Sequence, residues 1–276
     1  MAEADVYLLG RSHAEEERLR QQAEELAAEA RSLLDQLGIR KGQRAIEVGC
    51  GPCGMLALLS ERVGPDGAVV GLERSEQFVA SARKFVTDRR LTNVEVRQGD
   101  ARATGLPRES FDGVFERLVL VNVPEPAAIV TEMVALARPG GVVASYEADY
   151  LPHLCDPPSH AWDRLFEVFQ AYSNARGIDL FVGRRTHRML RDAGLVDLLV
   201  RPVINVYPPG NPRRTIFRDF MTNLRADVVA DGLVGEAEIA RLIDDLRNDL
   251  DDPHRLVLSH LFIQVWGRKP ERQAAA

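Results

Sequence analysis

The stretch RAIEVGCGPCG, residues 44–54, decides how the rest of the chain is read. A short β-rich run leads directly into a loop with glycine at 49, 51 and 54, and an apolar, helix-forming segment follows. Glycine permits backbone conformations and approach distances that a Cβ forbids, and Pro52 stiffens the turn. A strand, a glycine loop and a helix N-terminus in succession bring backbone N–H groups against a ligand. The same residues also spell Cys50-Gly51-Pro52-Cys53, a dithiol spacing that can yield a reactive thiolate at a helix N-terminus.

The flanking sequence separates the two. Downstream, β-rich runs alternate with helical segments: AVVGLE (68–73), NVEVRQGD (93–100), FDGVFE (111–116) and GVVASYE (141–147). Turn residues punctuate them at 64–67 and 138–141. This order implies a mostly parallel sheet flanked by helices, with ligands at the carboxyl ends of the strands near the switch point. It is not the order of a dithiol oxidoreductase, and Gly49 stands where such centres carry an aromatic residue. Cys50 and Cys53 therefore read as small residues in a tight turn. With one further cysteine, the chain offers neither a disulfide framework nor a zinc-ligand pattern, so no metal is expected.

At 276 residues and 45% apolar content the chain can bury a full core. A formal charge of −6 argues against a general affinity for nucleic acid, which depends on basic surface, and favours a small-molecule partner. No run approaches the ~18 apolar residues of a membrane span, and no basic start precedes an apolar segment. The cytoplasm is the expected location, and a homodimer is left open.

Outside the alternating core, residues 12–38 have the 3 and 4 spacing of an amphipathic helix, through Leu19, Ala23, Leu26, Ala30, Leu33 and Leu37. After residue 150 the rhythm breaks. Helices are expected at about 160–176 and 184–193, a strand at 195–207, a helical insert at roughly 212–250 and a closing strand at 261–269. Long insertions late in an α/β fold build a pocket or lid.

Three acids fall at strand ends: Glu47 before the glycine loop, Glu73 at the end of the second strand and Asp100 at the end of the third. Glu73 is placed to accept hydrogen bonds from both hydroxyls of a ribose. Glu47 discriminates further, because a carboxylate there repels a diphosphate and attracts an ammonium or sulfonium.

The motifs AIEVGCGPCG, GLERSEQF, VEVRQGDA, FDGVFERLVLVNVPEP and LARPGGVV, in this order, resemble those of the class I S-adenosylmethionine-dependent methyltransferases. The resemblance is to the small-molecule type, which includes quinone-biosynthesis and natural-product enzymes. It is strong over about 44–150 and implies a Rossmann-like seven-stranded sheet, mostly parallel with a C-terminal antiparallel strand, helices on both faces and helical lid insertions. It further implies that Glu47, Gly49 and Gly51 face the methionine portion of the cofactor, Glu73 the ribose and Arg74 the adenine. Asp100 would bond the adenine amino group and the Ala101 N–H a ring nitrogen, with Glu116 and Arg117 near the transferring methyl. Tyr7 would cover the cofactor from an N-terminal lid helix. Cys53 departs from the family, where many members carry a further glycine.

Acid–base candidates for the acceptor cluster after the fifth strand in SYEADYLPHL: Glu147, Asp149 and His153, with Tyr150 beside them. Each also reads as an ordinary loop or strand-end residue. Tyr172, at a helix end, and Arg184, at a helix start, are candidates for acceptor binding. The division expected is an N-terminal helical lid at 1–40, a cofactor-binding core at 41–150, and completion of the sheet at 151–276 with acceptor-pocket insertions at about 155–180 and 210–255. The expected activity is methyl transfer from S-adenosylmethionine to a small aromatic or polycyclic metabolite at carbon, oxygen or nitrogen. A nicotinamide-dependent oxidoreductase and a non-catalytic S-adenosylmethionine-binding module are the alternatives.

Overall fold

The computed structural model describes residues 13–150 and 155–272. In chain order its strands are β1 Arg44–Val48, β2 Ala68–Glu73, β3 Val94–Gln98, β4 Phe111–Arg117, β5 Ala137–Asp149, β6 Cys155–Asp156, β7 Val196–Val203, β8 Leu256–Val257 and β9 Leu261–Arg268. Seven of them form one sheet in the order β3-β2-β1-β4-β5-β9-β7, while β6 and β8 make a separate ribbon. β1 to β5 run parallel, and β9 is antiparallel to both its neighbours. The Rossmann-like sheet with one antiparallel C-terminal strand is thus present, with the last strand inserted between β5 and β7 and β7 left at the edge. The switch point lies between β1 and β4, where the strand order reverses.

The helices are α1 His13–Glu25, α2 Ala27–Gln36, α3 Leu56–Val63, α4 Glu76–Asp88, α5 Pro126–Leu136, α6 His160–Ala175, α7 Gly183–Asp192, α8 Ile216–Ala230 and α9 Glu236–Asp251. Strand residues alternate between two apolar clusters, as a sheet covered on both faces requires. Val142, Ala144 and Tyr146 of β5 join the cluster built by α2, α3 and α4. Val143 of the same strand joins the cluster of α5, α6 and α7.

The expected helix over 12–38 is two helices that meet at Leu26, whose N–H bonds to the Gln22 carbonyl and whose carbonyl accepts from Ala30 N–H. α2 lays Ala30, Leu33 and Leu34 on the sheet beside Met55, Leu59 and Trp266, each buried leucine contributing about 1.5–3 kcal/mol. α1 instead reaches the carboxyl rim of the sheet, where Arg18, Leu19 and Gln22 face the central cleft. The late insertion is held by aromatic packing. Phe217 of α8 has the rings of Trp162, Phe166 and Phe169 of α6 at centroid distances of 5.0, 6.2 and 6.1 Å. That contact brings Arg213 and Phe220 over the same rim. Among the described residues, no helix is long and apolar enough to cross a membrane.

Candidate active site

The glycine loop is tied down from below. Gly49 and Cys50 N–H both donate to the Leu72 carbonyl of β2, at 2.7 and 3.0 Å. Glu47, 1% exposed, accepts the Met55 N–H on both carboxylate oxygens, at 2.9 and 2.7 Å. Gly54 packs so closely on that carboxyl group that any Cβ would collide with it. Across the loop, Glu73 accepts from Gly51 N–H at 3.0 Å and from Ser75 N–H at 2.8 Å, clamping the loop to the turn that starts α4. Gly51 has φ of +55°, and a Cβ there would find no atom nearer than Leu19 Cδ1 at 4.0 Å, so its open side faces the cleft.

A cleft opens above the glycine loop. On the β2 and β3 side its wall is Glu73, Arg74, Asp100 and Ala101. The glycine loop, Glu47 and Arg117 form the middle, and Arg18, Tyr150, Arg213, Phe220 and His260 the far side. Arg117 Nη1 is buried and has no hydrogen-bond partner among the described residues.

Burial sets the charge states. It pushes the Glu47 carboxyl up to about 8, against the pull of the Arg117 guanidinium. A carboxyl raised this far keeps its proton closer to neutral pH than an ordinary one, and in this structure it holds the Met55 N–H. Desolvation likewise raises the Cys50 thiol well above its ordinary value, and Cys53 to about 11. Both are free and buried, the opposite of a reactive dithiol. Asp100 is held below the usual carboxylate range by the Arg102 side chain, which bonds it at 3.2 and 2.9 Å.

The structure brings Glu47, Gly49, Gly51, Glu73, Arg74, Asp100, Ala101, Arg117 and Tyr150 to the cleft wall. Glu116, Glu147 and Asp149 do not line it. Glu116 accepts from the Ser145 hydroxyl and from Val119 N–H. Glu147, fully buried, accepts Leu120 N–H at 2.6 Å and Val121 N–H at 3.3 Å, so it caps a short 3-10 turn. The two carboxyl groups hydrogen-bond each other, and burial raises both. Asp149 is gripped by Arg184, whose Nη2 donates at 2.7 Å. Neither Glu147, Asp149 nor Arg184 lines the cleft, because strand alternation turns the two acids to the α5 and α7 face. Tyr172 donates to Asp227 under the Arg176 guanidinium and also lies off the cleft. Tyr7 and His153 fall outside the described residues.

Sequence reasoning missed Arg18, Gln22, Asn122, Arg213, Phe220 and His260, all cleft-lining. A signal existed for His260. It immediately precedes β9, and an antiparallel strand starts at the rim where its parallel neighbours end. Its imidazole stacks on Tyr150, with centroids 4.6 Å apart and 26° between planes. Arg18 and Gln22 sit one step around α1 from the apolar stripe, and Arg213 depends on how the insertion packs.

Residues 39–194 match a family described as a methyltransferase domain. An uncharacterized 37.1 kDa protein in transposon TN4556 of Streptomyces fradiae is 32% identical over 63% of this chain and 50% of that protein. A demethylmenaquinone methyltransferase of Listeria monocytogenes is 31% identical over 49% of this chain and 54% of that protein. The chain thus spans about half the length of these curated relatives. The fold is shared with Haemonchus contortus phosphoethanolamine N-methyltransferase 2, solved in complex with S-adenosyl-L-methionine. That similarity has a TM-score of 0.56 and 18% identity over 87% of this chain and 52% of that chain.

Proposed function

We propose, from the premise that this chain belongs to the methyltransferase-domain family, that it binds S-adenosylmethionine and methylates a small aromatic or polycyclic metabolite. The observation that carries the proposal is the single cleft that joins Glu73 and Asp100 on one side to Tyr150 and His260 on the other across the glycine loop. Two features of the wall support the fit of the cofactor. Gly51 leaves a cradle that a side chain would fill, and Arg117 Nη1 is a buried cation donor with no partner among the described residues, suited to the carboxylate of an aminoacyl group.

In this proposal Glu73 receives the ribose hydroxyls on the lone pairs left by Gly51 and Ser75, Asp100 and Ala101 N–H take the adenine edge, and Arg74 flanks its face. Gly49, Gly51 and Arg117 hold the methionine tail. Glu47 acts as the post beneath the loop, and Glu116 as the support of the following turn. Bound there, the cofactor supplies a sulfonium-activated methyl for in-line displacement. Glu147 and Asp149 keep the rim in shape through the 3-10 turn and Arg184. His260, seated on Tyr150, is placed to take a proton from an oxygen or nitrogen acceptor, while the Tyr150 and Phe220 rings present flat apolar walls to an aromatic body.

Of the lid expected at 1–40, α1 covers the cleft in this proposal while α2 packs on the sheet; 41–150 serve as the cofactor core and 151–276 as the acceptor side, in the cytoplasm and in specialised metabolism. Self-association has an apolar surface at hand. Val196, Leu199, Val200, Ile204 and Val206 are exposed on or just after the edge strand β7.

Calorimetric titration with S-adenosylhomocysteine and with NAD(P)H, then incubation with methyl-labelled S-adenosylmethionine and a panel of phenols, indoles, quinols and amines, tests the proposal. Binding of the homocysteine product and label transfer are expected. Preference for the nicotinamide would overturn it, and binding without transfer would favour a non-catalytic module.

A further inference from the structure

Two consecutive arginines of the late insertion are buried, and they are used very differently. Arg214 donates Nε to the Leu250 carbonyl, Nη1 to that of Tyr207, and Nη2 to those of Asp252 and Arg255. Its donors are spent on closing the insertion. The Arg213 side chain, 6% exposed, donates Nε to the Tyr207 hydroxyl at 3.1 Å and Nη1 to Glu25 at 2.9 Å. Its Nη2 makes no hydrogen bond to a described residue, and Arg213 lines the cleft. A guanidinium carries five N–H donors, and the pair on Nη2 stays open to the cleft while the rest of the side chain is held in place, so a ligand there meets a pre-positioned cation.

The surroundings narrow the ligand. Tyr150, Phe220 and His260 give the same end of the cleft aromatic walls. Arg18, the second cation there, lies 5.1 Å over the Phe220 ring but is already bonded by both oxygens of Glu15 and by Gln22. Glu15 and Glu25 balance the two arginines, so the far side of the cleft is close to neutral and presents one directed, charge-assisted donor. We propose that this end is an oxyanion subsite: the acceptor is an aromatic body bearing a carboxylate or comparable oxyanion that binds Arg213 Nη2. The subsite rests on the methyltransferase proposal, because the same cleft holds both ligands.

The probes are 2-naphthoate and its uncharged isostere 2-naphthamide, titrated calorimetrically into the full chain with and without saturating S-adenosylhomocysteine. 2-Naphthoate is expected to bind at least about tenfold more tightly than the amide, a charge-assisted hydrogen bond being worth about 1.5–3 kcal/mol. Arg213→Gln should remove that preference and leave affinity for S-adenosylhomocysteine and for the amide unchanged. Arg213→Lys, which keeps the charge but cannot hold Tyr207 and Glu25 while reaching the cleft, should lose most of it. Equal binding of the two probes, binding of neither, or a preference that survives Arg213→Gln overturns the subsite. The wild-type comparison stands even where a variant fails to fold. Failure of S-adenosylhomocysteine to bind speaks against the cofactor alone, since the naphthoate preference is also read without it.

Discussion

The imidazole of His260 lies on the phenol ring of Tyr150, 4.6 Å between centroids and 26° from parallel, on the wall of the cleft that also holds Glu73. The stack joins the residue after β5 to the residue before β9, so it exists only because the last strand enters the sheet antiparallel. His260→Phe keeps a flat ring in that place and removes the nitrogen. Its kcat for a phenol or amine acceptor should fall by about 10²-fold or more, with affinity for S-adenosylhomocysteine unchanged. A kcat within a fewfold of wild type would remove His260 from the chemistry.

Glu73 has two duties, and one substitution separates them from simple packing. Glu73→Ala deletes the acceptor of Gly51 and Ser75 N–H as well as the bonds expected to a ribose. S-adenosylhomocysteine should bind tenfold or more weakly in calorimetry, on the basis of about 1.5–3 kcal/mol for each charge-assisted bond. An unchanged dissociation constant would contradict both duties.

Glu47 gives a pH signature. Its folded-state pKa, about 8, stands above the ordinary 4.5, so the folded state keeps a proton that the unfolded chain has released between those values. The contribution is full below about 4.5 and is lost as pH rises toward 8. Glu47→Gln should therefore gain stability relative to wild type over that window by up to about 1.4 kcal/mol per pH unit, then level off. Urea midpoints of both proteins from pH 5 to 9 measure it, and parallel curves would refute it; the buried Glu116 and Glu147 pair is common to both and cancels.

The thiols of the loop should be inert. Burial raises both, so native protein at pH 8 should react with an aromatic disulfide reagent far more slowly than unfolded protein, and Cys50→Ala with Cys53→Ala should retain S-adenosylhomocysteine binding. Rapid labelling of the folded chain at these positions would contradict the burial.

Gly49 and Gly51 are expected to fail in different ways. A Cβ on Gly49 would lie 2.5 Å from Val119 Cγ2 at a φ of +70°, so Gly49→Ala should cost stability, about 1–3 kcal/mol. Gly51→Ala shares the backbone strain, at a φ of +55°, but meets no such neighbour, so it should cost less stability than Gly49→Ala and weaken S-adenosylhomocysteine binding by filling the cradle. Unchanged S-adenosylhomocysteine affinity in Gly51→Ala, read by calorimetry, would show that the cradle is not used.

Much of the fold was legible because each strand carries its own local signal. RAIEV, AVVGLE and LFIQVWGRK become β1, β2 and β9 within one residue of the expected bounds. The interruption at Leu26 was hidden, since the helical spacing of leucine and alanine continues through it. Residues at or just past the ends of parallel strands line the cleft, as Glu73 and Asp100 do. Glu147 and Asp149 meet the same rule of position but alternate to the other face, beneath Leu120 and against Arg184.

The sequence by itself determined the order of strands and helices, the glycine loop at the switch point and the acids around it, because these follow from local periodicity and chain direction. The burial that raises the Glu47 carboxyl and the loop thiols, and the meeting of Arg18, Arg213 and His260 with Tyr150 on one wall, belong to the tertiary structure. Protonation depends on desolvation by the whole fold, and that wall is assembled from segments almost 250 residues apart. Neither quantity is written in any short stretch of the chain.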